Sequence, residues 1–195
     1  MESKERQAFT KSILVDNSFV SGIWSNSYEV INQTNLVVDN LDKIDNVTTR
    51  DRVEGEAKFL RALTYFDLIR LFSQPYQGGG ANAGLGVPLR LAGIFDYAGD
   101  LSTSRNSIQE VYTQIIADLT VAANKLPAYN SFFADQYAAK ALLARVYLQQ
   151  QNYAAARDAA HDVIQNSGHS LTTSFAEAFN NDADSTEMLF SFQVT

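Results

Sequence analysis

His161 and His169 are the only imidazoles in the chain, and no cysteine accompanies them. A zinc-binding H-E-x-x-H motif needs two histidines four residues apart on one helix face. These two stand eight apart with a helix end between them. The missing cysteines exclude disulfides, Cys-ligated zinc, thiol catalysis and iron–sulfur clusters. Neither histidine stands in a nucleophile motif, so a Ser-His arrangement has no support. The glycine-rich run GGGANAGLG (78–86) lacks both G-x-G-x-x-G and the Lys-Ser/Thr ending of a phosphate loop. Glu56, Arg61, Asp67 and Arg70 share one strongly apolar segment. Buried charges need partners, so these read as structural ion pairs. Glycoside hydrolysis needs two carboxylates facing each other across a cleft, and no spacing here places such a pair. The acidic run NNDADSTE (180–187) offers oxygen ligands but departs from calcium-loop spacing, and reads as a solvated loop. The residues therefore point away from an enzyme, with no catalytic residue, no metal and no cofactor expected.

Binding chemistry has better candidates. Tyr76, Phe95 and Tyr97 lie in or beside a Gly/Pro-rich segment, where no core periodicity accounts for them. Flat aromatic faces pack on the C–H faces of pyranose rings. Asn82 and Asp96 stand among them and can hydrogen-bond sugar hydroxyls. These five are the candidate ligand-binding residues. The competing reading folds the loop back on the body, with its aromatics as packing pins. Trp24 is a second possible platform, but it sits on the apolar face of a periodic helix and reads as core.

The rest of the chain supplies the scaffold. Its 195 residues are 46% apolar and 19% charged, enough for a packed core in one domain over 1–195. A net charge of −7, with no basic run against it, disfavours nucleic acid and anionic membrane surfaces. No apolar run reaches membrane-spanning length. Helical periodicity predicts one helix over about Val20 to Ile44 and a second over about Arg50 to Phe72, capped near Thr48. The stretch FLRALTYFDLIRLF (59–72) is apolar nearly all round, which predicts a central helix. Pro75, the glycines and Pro88 break the pattern over 73–104, a long loop insertion, with a short strand possible at Val87 to Leu91. Ser107 and Glu110 form a capping box for the next helix. Asp135 caps another, and a very short turn at Asn152 leads to a helix that stops at Gly168. Residues 188–194 read as a short strand or extended tail. Leu143, Ala144, Tyr147, Tyr153 and Ala156 fit tetratricopeptide spacing. The fold class is all-α, built of irregular tetratricopeptide-like helical hairpins around the inserted loop. That makes a binding scaffold, with a protein–protein interaction module that never touches sugar as the alternative.

Five blocks in order resemble the SusD/RagB-like family of outer-membrane nutrient-binding lipoproteins. They are WSNSYEVINQTNLVVDNLDKI (24–44), GEAKFLRALTYFDLIRLF (55–72), GVPL (86–89), RNSIQEVYTQIIADLTVAANKLP (105–127) and AAKALLARVYLQQQNYAAARDAAHDVI (138–164). EMLFSFQ (187–193) is similar to the strand that follows the family's repeats. The resemblance implies non-catalytic capture of oligosaccharides at a bacterial cell surface, for delivery to a TonB-dependent transporter resembling SusC. It also implies a lipid anchor, through a cysteine absent here, and a larger C-terminal part. The chain is expected to be a fragment lacking both, with membrane contact only through that anchor.

Overall fold

The computed structural model describes residues 3–96, 98–179 and 185–192. Six α-helices run in order: α1 (Lys4–Phe9), α2 (Ser18–Val38), α3 (Val47–Phe72), α4 (Ile108–Lys125), α5 (Gln136–Gln149) and α6 (Tyr153–Asn166). Each helix from α2 to α6 packs on the next in the chain, so the fold is an all-α stack of tetratricopeptide-like hairpins.

The caps explain where the helices begin. A helix start leaves backbone N–H groups without partners, and a short polar side chain accepts one of them. Asn17 accepts from the Val20 amide at 3.1 Å, and Asn46 from Thr49 at 2.8 Å. The cap of α3 is thus Asn46, two residues before the expected Thr48. Ser107 and Glu110 close the capping box, at 3.2 and 2.7 Å. Asp135 takes the amides of Tyr137 and Ala138, at 2.9 and 2.8 Å. Gln151, at φ +60°, makes the turn into α6, and Gly168, at φ +79°, follows its end. The first long helix ends at Val38 rather than continuing to Ile44, with a 3₁₀ turn, Leu41–Lys43, in between.

The core lies along α3. Phe59, Ala62, Tyr65, Phe66, Leu68 and Ile69 are buried there against Val111, Ile115 and Leu119 of α4 and Ala139 and Val146 of α5. Residues pointing in several directions are buried, which is why this stretch is apolar nearly all round. Gly55 marks a close approach. A Cβ there would lie 2.7 Å from Leu126 Cγ, a branched atom that cannot swing away as a chain end could. Gly55→Ala gains up to about 1 kcal/mol of helix propensity. The clash is expected to outweigh it, for a net loss of about 1–2 kcal/mol. A higher urea midpoint for the variant would contradict this packing.

Arg61 is the buried cation of α3, only 4% exposed. Its Nε and Nη2 grip Asp118 of α4 at 2.8 and 2.6 Å, and Nη1 donates to Asn35 of α2 at 2.8 Å. One guanidinium therefore fastens three helices. The expected structural ion pair in this segment is present, with a partner in another helix.

Burial holds three tyrosine hydroxyls protonated. It pushes Tyr65 and Tyr112 each up to about 12, and raises Tyr28 further. The unfolded group titrates near 10. The folded state therefore favours the neutral phenol, so this stability is whole below pH 10 and is lost as pH rises from 10 towards 12. The melting temperature is expected to fall steeply over that window. Tyr112→Phe, which breaks no side-chain hydrogen bond among the described residues, should flatten the fall; an unchanged slope would count against it.

Candidate functional site

The long segment after α3 is tied down along much of its length. Arg105 gathers its ends, with Nε donating to the Gly86 carbonyl at 2.5 Å and Nη2 to Phe72 at 2.7 Å. The Gly86 amide donates to Asn106 O at 2.7 Å, and Asn106 N–H to Val87 O at 3.2 Å. A Cβ on Gly86 would lie 3.0 Å from Ile69 Cδ1 and from two backbone carbonyl oxygens, so only glycine fits unstrained. The short strand possible at Val87 to Leu91 does not form, and the backbone pairing near it is an isolated bridge between Leu85 and Ser107.

Beyond that bridge, helix side chains satisfy the loop backbone. Tyr28, Asn32 and Asn35 fall on one face of α2, as their spacing requires, and Asp39 caps its C-terminal end. The Tyr28 hydroxyl donates to Pro88 O at 2.8 Å. Asn32 exchanges two bonds with Ile94, accepting at 2.7 Å and donating at 3.2 Å. Asn35 Nδ2 donates to the carbonyls of Arg90 and Ala92 at 2.9 and 3.2 Å, and Asp39 accepts from Gly93 N–H at 2.6 Å. From α3, the Tyr65 hydroxyl accepts from Arg90 N–H at 2.7 Å and donates to Arg90 O at 2.9 Å. These bonds stand in for a neighbouring strand and fix the path of residues 88–94.

A groove of about 490 Å³ opens between α2 and this fixed limb. Ser25, Tyr28, Glu29, Asn32 and Gln33 line it from the helix; Arg90, Ile94 and Leu101 line it from the loop. Arg90 also donates to the Leu101 carbonyl, which holds the returning limb in place. Ser25, Glu29 and Gln33 repeat every fourth residue and are exposed. Their side chains make no hydrogen bond among the described residues, so they are free to meet a ligand. The volume falls within the range of small-ligand sites. Phe95 follows Ile94 and is 73% exposed, so it presents a flat apolar face to solvent.

The five residues singled out from the sequence are divided by the structure. Phe95 and Asp96 follow the limb that α2 holds, and Asp96 accepts from Ala98 N–H at 3.1 Å. Tyr76 lies at the other end of the segment, its hydroxyl donating to Gln109 Oε1 at 2.8 Å and its ring 4.8 Å from that of Tyr112. Asn82, at φ +49°, closes its own turn by accepting from Gln77 N–H and donating to Gln77 O and Gly80 O. Tyr97 lies outside the described residues. None of the four described residues, Tyr76, Asn82, Phe95 and Asp96, lines the groove; Phe95 and Asp96 come next in the chain after its lining residue Ile94. Sequence reasoning missed Ser25, Glu29 and Gln33; their signal is a polar stripe at i, i+4, i+8 beside the apolar face of α2. It also missed the exposed aromatics Tyr129, Phe132 and Phe133, which line a smaller concavity of about 220 Å³ with His169 and Phe190. Trp24 packs 5.0 Å from Tyr28 and from Phe72, as a core residue would.

A stack of helical hairpins carrying one inserted loop, pinned by side chains so that a polar groove stays open, defines a tetratricopeptide-like helical fold. The chain belongs to the SusD-like family: the family model described as "Starch-binding associating with outer membrane" matches residues 1–148. SusD-like protein P25 of Formosa agariphila is 28% identical over 183 residues, covering 92% of this chain and 33% of that protein. SusD-like protein P2 of the same organism is 31% identical over 154 residues, covering 77% and 28%. The chain thus spans about a third of the length of the curated relatives it matches. Among solved structures, a SusD superfamily protein from Bacteroides fragilis superposes with a TM-score of 0.84 at 27% identity, over 97% of this chain and 44% of that one. A SusD superfamily protein from Bacteroides thetaiotaomicron gives 0.79 at 31%, over 88% and 38%. A structure described with xylogluco-oligosaccharide gives 0.72 at 26%, over 89% and 35%.

Proposed function

We propose that this chain is the helical part of a non-catalytic oligosaccharide-binding protein, and that the groove beside α2 contributes to its site. The carrying observation is the groove itself: free polar side chains at Ser25, Glu29 and Gln33 face a loop whose path the helix fixes. A saccharide presents hydroxyls to such groups and a C–H face to an exposed ring such as Phe95. Membership of a starch-binding family, and a neighbour of similar fold described with xylogluco-oligosaccharide, support the ligand class. Of the five loop residues, Phe95 and Asp96 are proposed as ligand contacts, joined by Tyr97. Tyr76 and Asn82 are proposed to act through the shape of the loop. The whole protein is proposed to sit at the outer membrane of the cell surface as a lipoprotein, and to hand its ligand to a SusC-like TonB-dependent transporter.

The test is affinity electrophoresis through gels carrying neutral polysaccharides, xyloglucan among them. At least one glycan is expected to retard the chain, and Phe95→Ala and Gln33→Ala are each expected to reduce the retardation. Retardation by a glycan that neither variant changes would move the site elsewhere. Transporter delivery is tested separately, by co-purification of the whole protein with the transporter.

A further inference from the structure

A third concavity, of about 570 Å³, lies between α3, α5 and the start of the loop. Phe66, Arg70, Pro75, Tyr76, Arg145 and Gln151 are among the residues that line it, and no carboxylate does. In a chain of net charge −7, that is a local reversal of sign. The two guanidiniums converge on one ring, with Arg70 Cζ 5.0 Å and Arg145 Cζ 5.9 Å from the Phe66 centroid. Cation–π attraction restrains both heads there while leaving their N–H edges available. Arg70 has only a loose contact with Asp67, at 3.6 Å. Arg145 meets no carboxylate among the described residues. Gln151 is held against the loop; a Cβ on Gly78 would fall 2.4 Å from its Oε1. Tyr76 is fixed by its bond to Gln109, so this part of the lining is preformed. A planar guanidinium pairs bidentately with carboxylate or sulfate oxygens, and a neutral ligand leaves both cations unanswered.

We infer that this concavity is a subsite for an acidic saccharide, with Arg70 and Arg145 taking the carboxylate of a uronic acid residue or a sulfate ester. The site is separate from the groove beside α2, and only its saccharide character rests on the proposed function. Titration calorimetry of the 195-residue chain, with a galacturonate trisaccharide, a sulfated trisaccharide, a neutral galactose trisaccharide and a hexaglutamate peptide, tests it. At least one acidic sugar is expected to bind more tightly than the neutral one, and to weaken as salt rises. Arg145→Gln and Arg70→Gln should each weaken it about tenfold or more. Both arginines are exposed, so the variants should melt with the wild type. Whether galacturonate or the sulfated sugar binds decides between the two anions. Equal affinity for acidic and neutral sugars, or indifference to both arginine variants, overturns the subsite. Peptide binding as tight as the sugar's overturns its saccharide character. Neutral-glycan binding that is lost with Phe95→Ala, or absent altogether, bears only on the groove.

Discussion

Asp118→Ala is expected to lower the unfolding free energy by about 3–5 kcal/mol, the largest stability loss of any single side-chain truncation proposed for this chain. Asp118 is 2% exposed and takes two guanidinium bonds from Arg61, which is itself buried. Removing the carboxylate leaves a cation in a dry core with Asn35 as its one remaining partner among the described residues, and Asn35 is already engaged with Arg90 and Ala92. The damage should therefore spread from the α3–α4 contact to the loop. Mutual attraction does little more than offset the desolvation of two buried charges. Replacing both, as Arg61→Met with Asp118→Leu, is accordingly expected to recover most of the loss. Urea denaturation of the two single variants and the double variant gives the coupling directly. Single variants costing under about 1 kcal/mol would show that the pair is hydrated in solution.

Asn32→Ala is expected to abolish retention of any neutral glycan that the chain holds, while costing only about 1–2 kcal/mol of stability. The side chain is small and half-buried, and it forms both bonds that hold Ile94 against α2. Without them the segment carrying Ile94 and Phe95 loses its anchor, and the groove loses its outer wall. The fold should persist, because Tyr65 and Asn35 still hold Arg90. Hydrogen exchange should show faster exchange at the amides of residues 93–96, with α3 and α4 unchanged. Full glycan retention alongside that faster exchange would separate the loop from the site.

The helices were legible in the sequence because a helix is made by local bonds. The i, i+3, i+4 apolar spacing, Ser107 with Glu110, Asp135 and Gly168 each act within a turn of where they stand. The family resemblance was legible for the same reason, being carried by contiguous blocks. The cap at Asn46 was missed because the Thr48 hydroxyl can accept an N–H as the Asn46 carboxamide oxygen does, and the two readings differ only in which residue leaves the helix. Tyr76 and Phe95 were grouped because both are loop aromatics. The structure sends one onto α4 and the other past α2, and spacing along a loop cannot reveal that. Arg61 meets Asp118 across a separation of 57 residues, and Asn32 meets Ile94 across 62. The sequence by itself determined the five longer helices, most of their caps and the charges that had to find partners. Only the tertiary structure decided which partners they found, where the loop runs and where the groove opens. Those choices rest on hydrogen bonds between distant segments, which have no period and leave no local pattern.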